Sequence, residues 1–434
     1  MFDTQLPVEK AILVGVQLPD TPDWEVNYSL DELASLADTA GIRSLGRCSQ
    51  NRHHPDPATY IGRGKVEEVQ ALVEAHQADV VIFDPELSPA QISNLEKRLN
   101  VRVMDRGDVI LMIFAERAQT REAKLQVDLA RMKYFLPRLK RQWTHLERQV
   151  GGVGVRAGMG EKQIEVDRRL IRKKIERYEA DLKEIEKQRK LRKNKRRETF
   201  SLALIGYTNV GKSTLFNRLT QADVLVENRL FATLDSTVRK IEIGAHEFVL
   251  TDTVGFIRKL PHHLVASFRS TLEEACDADV LLHVVDVTSP VLGEQMAAVN
   301  EVLKQLEIED KPIVYVLNKA DLLPQNEELH VWKHIPPEAP CVSVSAHTGE
   351  NMDLLKELIL ETFSEQFREA IFVLPLSQSG FVAQLYTIAT ILEEEYLEGN
   401  RVKLRCRAPA KDLERFRKSW KAVADAGEEQ LLSS

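Results

Sequence analysis

Residues 206–213 read GYTNVGKS, a GxxxxGK(S/T) loop set between the apolar run SLALI and the helix-patterned STLFNRL. This arrangement suits phosphate: the glycines at 206 and 211 let backbone N–H groups close around oxygens, Lys212 neutralises β- and γ-phosphates, and Ser213 offers a hydroxyl to Mg2+. The predicted phosphate contacts are Gly206, Tyr207, Thr208, Asn209, Val210, Gly211, Lys212 and Ser213, with Thr214 behind them. Such a loop does not choose between adenine and guanine. Asn318, Lys319, Ala320 and Asp321, after the apolar run IVYVL, make that choice. A carboxylate at Asp321 accepts hydrogen bonds from the N1–H and 2-amino group of guanine, whereas adenine offers neither and strands a buried acceptor. Ser345 and Ala346, after CVSV, suit a backbone donor to guanine O6. Asp252, Thr253, Val254 and Gly255 follow HEFVLT, which places a carboxylate near Mg2+ through water and a glycine amide near the γ-phosphate. In this order the four motifs predict an enzyme that binds GTP and GDP and hydrolyses GTP.

The elements that position these residues are legible as alternating patterns. From 199 to 365, ADVLLHVVDV, KPIVYVLNKAD and CVSVSA are apolar runs separated by helical segments, the signature of a parallel sheet buried on both faces. Residues 1–118 repeat the theme, with strands expected at AILVGV (11–16), VVIFD (80–84) and VRVMD (101–105). Between 119 and 198 the rhythm becomes helical: Leu125, Leu129, Met132 and Leu136, then Ile171, Ile175, Tyr178, Leu182 and Ile185. The glycine-rich VGGVGVRAGMG between these two runs cannot sustain a helix. The expected unit is an antiparallel helical hairpin whose tip about 25 helical residues would carry roughly 40 Å from its base. Its second arm ends in a basic tract from Lys187 to Arg197, and Arg141, Arg148 and Arg156 cluster around the glycine-rich tip, so tip and basic end are expected to contact RNA. Residues 366–434 suggest a small C-terminal α/β module, with Glu393, Glu394, Glu395, Glu428 and Glu429 on solvated faces. The fold class is therefore α/β: a P-loop domain with a parallel-rich sheet, preceded by a small α/β domain and a helical hairpin and followed by a small α/β module.

Length and composition bound the function further. The 434 residues, with 43% hydrophobic and 29% charged, are enough for about three domains and exclude global disorder. A net charge of -7 excludes a uniformly basic nucleic-acid coat, so polyanion contacts must come from local segments such as the basic helix end. Cys48, Cys276, Cys341 and Cys406 form no CxxC pair and are expected to be reduced, mostly buried thiols. No stretch approaches the roughly 18 apolar residues of a membrane span, and MFDTQLPVEK has no basic region followed by an apolar core. The cytoplasm is the expected address, and a monomer the expected free state.

Beyond the nucleotide motifs, YIGRGKVEE (60–68), IFAERAQTREAKLQVDLA (113–130), GEKQIEVDRR (160–169) and FATLD (231–235) resemble the HflX family of bacterial ribosome-associated GTPases, over most of the chain. The resemblance implies that Phe231, Ala232, Thr233, Leu234 and Asp235 form the first switch, with Thr233 joining Ser213 and, through water, Asp252 around Mg2+. Lys212, Thr233 and Gly255 would be the catalytic groups. It also implies that Asn209 helps hold an activating potassium ion, and that the partner is the large ribosomal subunit and its rRNA, in translation, ribosome dissociation or rescue under stress. Two departures stand out: the family's GPGE turn is Gly158-Met159-Gly160-Glu161 here, and the proline after FATLD is Ser236. Phe256 stands where many signalling GTPases carry a water-orienting glutamine, so intrinsic hydrolysis is expected to be slow and partner binding to accelerate it. An ATP- and GTP-driven RNA-remodelling enzyme, with Gly62, Arg63, Gly64 and Lys65 at a second site, is one alternative. A GTPase with only protein partners is another. His262 and His263 are expected to be surface or packing imidazoles.

Overall fold

The computed structural model describes residues 8–19, 21–138, 161–194, 200–220, 230–231, 233–259, 274–323, 332–410 and 412–420, with backbone alone at 161–164 and 189–194. The first sheet has four parallel strands in the order β2-β1-β3-β4: β1 (Lys10–Gln17), β2 (Arg43–Asn51), β3 (Val80–Phe83) and β4 (Arg102–Asp105). Its helices are α1 (Asp23–Thr39), α2 (Arg63–His76), α3 (Pro89–Leu99) and α4 (Arg106–Arg117). Side chains alternate across the central strands. Ala11, Leu13, Val80 and Ile82 enter one core with α1 and α4, while Ile12, Val14, Val81 and Phe83 enter a second with α2 and α3. Sequence pattern alone misses β2, because its RSLGRCSQN is half-buried at best, as an outer strand can be. Capping boxes start α3 (Ser88 with Gln91) and α4 (Asp105 with Asp108), which fixes where the chain leaves the strand ends.

Helix α5 (Arg121–Phe135) begins at Thr120, whose Oγ1 accepts from the Ala123 amide at 3.1 Å, and runs into a single 3-10 turn at Leu136–Arg138. Helix α6 (Glu161–Asn194) packs along α5, with Lys133 Nζ 2.8 Å from Glu179 Oε1. The glycine-rich tip, Arg141, Arg148 and Arg156, and the basic side chains from Arg189 onward lie outside the described residues, as do Ala232, His262, His263, Glu428 and Glu429.

The second sheet has six strands in the order β10-β9-β8-β5-β7-β6, parallel except for β6 against β7. These are β5 (Phe200–Gly206), β6 (Thr237–Ile243), β7 (His246–Asp252), β8 (Val280–Asp286), β9 (Ile313–Asn318) and β10 (Cys341–Ser343), with helices α7 (Lys212–Thr220), α8 (Leu292–Gln305) and α9 (Met352–Glu365). The two sheets share a core: Leu30, Leu33, Ile110, Phe114 and Val127 lie in one buried cluster with Leu204, Tyr207, Phe231 and Leu234. The last unit is an antiparallel sheet, β11 (Phe367–Pro375), β13 (Arg401–Pro409) and β12 (Thr390–Leu397), with α10 (Ser379–Ile388) and a core of its own. Glu393, Glu394 and Glu395 are exposed on β12, where Glu393 and Glu395 pair across the sheet with Arg405 and Lys403. All four cysteines are free, but Cys406 alone is buried and the other three are half-buried. Among the described residues no helix is long and apolar enough to cross a membrane.

Candidate active site

Strand β5 enters the phosphate loop at Gly206, whose φ of 145° is open to glycine and to few other residues; a Cβ there would lie 2.3 Å from the Val284 carbonyl oxygen. Gly211, at φ 96°, is equally constrained, since its Cβ would lie 2.3 Å from Asn318 Nδ2. Lys212 opens α7 and is buried, donating from Nζ to the main-chain oxygens of Tyr207 (2.6 Å) and Gly206 (3.2 Å). Burial pushes its ammonium down to about 8, against the opposing pull of Asp252.

Ser213, Thr233 and Asp252 converge from three elements. Ser213 Oγ lies 2.8 Å from Thr233 Oγ1 and donates to Asp252 Oδ2 at 2.7 Å, and Thr233 Oγ1 reaches the same carboxylate oxygen at 3.1 Å. Burial raises the Asp252 carboxyl, while Lys212 and the two hydroxyls lower it. Its Oδ1 is buried with no hydrogen-bond partner among the described residues. A cluster of hard oxygens with a spare carboxylate lone pair fits Mg2+.

Beyond β7 the chain lies directly on the phosphate loop. A Cβ on Gly255 would come within 2.9 Å of Lys212 Nζ and 2.8 Å of Thr208 Cγ2, so this position needs glycine for close approach. The Thr208 amide donates to the Phe256 carbonyl at 2.7 Å and the Phe256 amide to the Gly206 carbonyl at 3.0 Å. Thr253 Oγ1 donates to the Leu204 carbonyl at 2.6 Å, and Val254 is buried, so both serve the strand end. The Phe256 ring is buried with Ala203, Ile205 and Leu281, facing the core.

At the base side, Asn318 is a brace. Its Nδ2 donates to the Val210 carbonyl at 2.8 Å and its Oδ1 accepts the Ala346 amide at 2.9 Å, so one side chain ties phosphate loop to Ser345 and Ala346. Lys319, at φ 68°, places Nζ 2.5 Å from Asp286 Oδ2 and 3.1 Å from the carbonyl of Asn209, itself an exposed residue at φ 62°. Ser345 Oγ accepts the Thr348 amide at 3.0 Å, which closes the turn. The structure corrects one expectation: Asp321 lies on the one-turn 3-10 helix Ala320–Leu322 and is exposed, so the protein itself does not bury the acceptor.

Several partners were invisible in sequence. The Tyr207 hydroxyl donates to Glu32 Oε1 of α1 and accepts the Arg258 amide at 2.8 Å, so the ring is turned toward the N-terminal sheet. The Asp235 carboxylate is turned away from the oxygen cluster, accepting the amides of Gln119 (2.9 Å) and Thr120 (3.2 Å) and the Thr120 hydroxyl at the start of α5. Phe231 packs edge-on against Phe114 of α4 with centroids 4.7 Å apart, and Leu234 is buried beside it. Gly62, Arg63, Gly64 and Lys65 begin α2: the Gly62 amide donates to Gln50 Oε1 at 2.8 Å, and Arg63 and Lys65 pair with Glu67 and Glu68. They form an ordinary helix start.

A six-stranded parallel-rich sheet with a phosphate loop at the end of its central β5 defines a P-loop GTPase. Three family models match in succession: GTP-binding GTPase N-terminal at 27–115, GTP-binding GTPase Middle Region at 117–196, and 50S ribosome-binding GTPase at 201–319. The chain is 44% identical to GTPase HflX of Magnetococcus marinus, covering 91% of each, and 41% identical to GTPase HflX of Escherichia coli, covering 98% of this chain and 99% of the relative. A GTP-binding protein of Sulfolobus solfataricus solved with GDP is 24% identical over 82% of this chain and 99% of its own, at a TM-score of 0.44. The chain belongs to the HflX family of GTPases and hydrolyses GTP.

Proposed function

We propose that this protein is a Mg2+-dependent GTPase of the cytoplasm that binds the large ribosomal subunit through its rRNA and acts on translation, ribosome dissociation or rescue under stress, with the ribosome stimulating hydrolysis. The match of residues 201–319 to the 50S ribosome-binding GTPase model carries the partner, and the Ser213–Thr233–Asp252 oxygen cluster carries the chemistry. Ser213 and Thr233 would hold the metal directly and Asp252 through water; bound there, the ion supplies charge to the β- and γ-phosphate oxygens. Lys212 neutralises the same oxygens when it leaves its loop carbonyls, and the Gly255 amide orients the γ-phosphate. Thr233 ties the first switch to the nucleotide state. Asp321 reads the guanine edge, with Ala346 donating its amide to O6. Asn209 holds potassium. The buried Phe256 ring supports slow intrinsic turnover, because a phenyl group cannot orient a water by hydrogen bonding. The domain limits that go with this reading are 1–118, 119–198, 199–365 and 366–434, the hairpin of 119–198 being the RNA probe.

Ribosome co-sedimentation with a non-hydrolysable GTP analogue tests the reading across a salt series. Binding to the large subunit is expected, and deletion of 151–158 is expected to weaken it while sparing GTP affinity. Intact particle binding and intact particle-stimulated hydrolysis after that deletion would remove the probe role. Equal hydrolysis rates in potassium and sodium would remove the role of Asn209.

A further inference from the structure

The N-terminal sheet has a crevice of its own at the carboxyl ends of its strands. With the order β2-β1-β3-β4, the connections diverge between β1 and β3, the place where open parallel sheets bind ligands. Asp84 follows β3 directly, Arg106 follows β4, and α1 brings Ser29 and Glu32. Arg106 is 2% exposed and fully engaged: Nε donates to Asp84 Oδ1 at 3.0 Å, Nη1 to Glu32 Oε2 at 2.6 Å, and Nη2 to the Ser29 carbonyl at 3.2 Å. One guanidinium between two carboxylates leaves a negative charge over. The crevice is therefore suited to a second cation.

The chain supplies that cation itself. Lys259 Nζ lies 2.7 Å from Asp84 Oδ2 and 2.8 Å from Ser29 Oγ, and its backbone, at φ 54°, is in the left-handed region that lysine rarely adopts. Beside it, the Arg258 carbonyl accepts from Arg106 Nη1 at 3.0 Å, the Arg258 amide donates to the Tyr207 hydroxyl, and its guanidinium pairs with Glu25. Arg258 lies three residues beyond Gly255, and the stretch between is fixed by Phe256 on the phosphate loop and by the buried Ile257. We propose that the crevice is a binding site for the chain's own Arg258–Lys259 segment and that Arg106 is a positioning residue for GTP hydrolysis, holding Gly255 against Lys212 from the opposite domain. This rests on GTP hydrolysis alone and not on any ribosomal partner. A well-placed amide matters to the hydrolytic step more than to binding, since misplacement of about 1 Å can cost on the order of 10²-fold in rate.

The test is steady-state GTP hydrolysis by the full chain carrying Arg106→Met, Lys259→Met or Lys259→Arg, with active sites counted by titration with a fluorescent GDP analogue. Arg106→Met and Lys259→Met are expected to lower kcat about 10-fold or more and to leave KM and GDP affinity within about 2-fold. Lys259→Arg keeps a cation in the crevice and is expected to retain most of kcat. Lys259 is partly exposed, so its variants can be read even if Arg106→Met does not fold. An unchanged or raised kcat in Lys259→Met would overturn the proposal, as would a kcat loss matched by an equal rise in KM, or an arginine variant as slow as the methionine one.

Discussion

The crevice between β1 and β3 and the phosphate loop after β5 stand at the same place in their respective parallel sheets, yet they hold opposite charges. The connection from β1 to α1 is LPDTP: Pro19 and Pro22 carry no N–H, and no glycine lets the backbone fold around an anion. The connection from β5 to α7 contains no proline, and Gly206 and Gly211 both adopt positive φ. In the first crevice the side chains decide, and Asp84 and Glu32 make it a seat for Arg106 and Lys259. In the second the backbone decides, and its amides with Lys212 suit phosphate. Sheet topology therefore sets where a site falls, while the first strand-to-helix loop sets its sign.

The sharpest way to break this contrast is at Lys212. Its replacement by alanine removes the buried ammonium that opens α7 at the phosphate loop and is expected to slow single-turnover GTP hydrolysis about 10³-fold, as loss of a key charge-stabilising donor does; a loss below tenfold would show that the loop amides suffice. Next is Asp321→Asn, where an amide now donates toward the guanine 2-amino group, itself a donor, and faces a carbonyl in xanthine. Affinity for GTP is expected to fall about 10²-fold and affinity for xanthosine triphosphate to rise, because charge-assisted hydrogen bonds are lost. Competition binding with both nucleotides measures this, and unchanged GTP affinity counts against the guanine assignment.

The smallest effect tests the acidic crevice. Burial would raise the Asp84 carboxyl, but Arg106 and Lys259 overcome it and hold the group at about 2, below the usual 3.8. A depressed carboxylate stabilises the folded state fully above pH 3.8, and that stabilisation is lost as pH falls toward 2. The difference amounts to about 2 kcal/mol. Denaturant titrations between about pH 2 and 5 should show Asp84→Asn less stable than the parent at the upper end and nearly equal to it at the lower end. A gap that stays constant across the range would assign the acid sensitivity elsewhere.

The parts of this molecule written in local pattern were legible before the fold was known. Unbroken apolar runs mark β1, β3, β5, β8 and β9, and the motif residues Gly206 and Asn318 stand at strand ends because the runs stop there, while Asp252 closes the shorter apolar stretch of β7. What stayed hidden depends on long-range pairing. Arg106 lies 74 residues from Glu32 and 152 from Arg258, and no period connects a lone arginine to such partners. Tyr207 reads as a backbone donor in a phosphate loop, and nothing local shows that its hydroxyl crosses to α1. Asp235 reads as part of the first switch, yet its carboxylate serves the start of a helix 115 residues earlier. Strand β2 escaped for a different reason, since an outer strand can fold with little apolar surface.

Asn318 has a consequence for how the nucleotide arrives. A purine nucleoside triphosphate is a two-headed ligand, and its two heads must be caught by loops that follow different strands. With Val210 and Ala346 both hydrogen-bonded to one amide side chain, those loops are spaced before either head lands. Capture of the phosphates then presents the base to its own loop at high effective concentration, so the second contact forms as an intramolecular step. Loosening the brace should lower affinity for whole nucleotides far more than for guanosine or pyrophosphate alone, because avidity is lost while each individual contact survives.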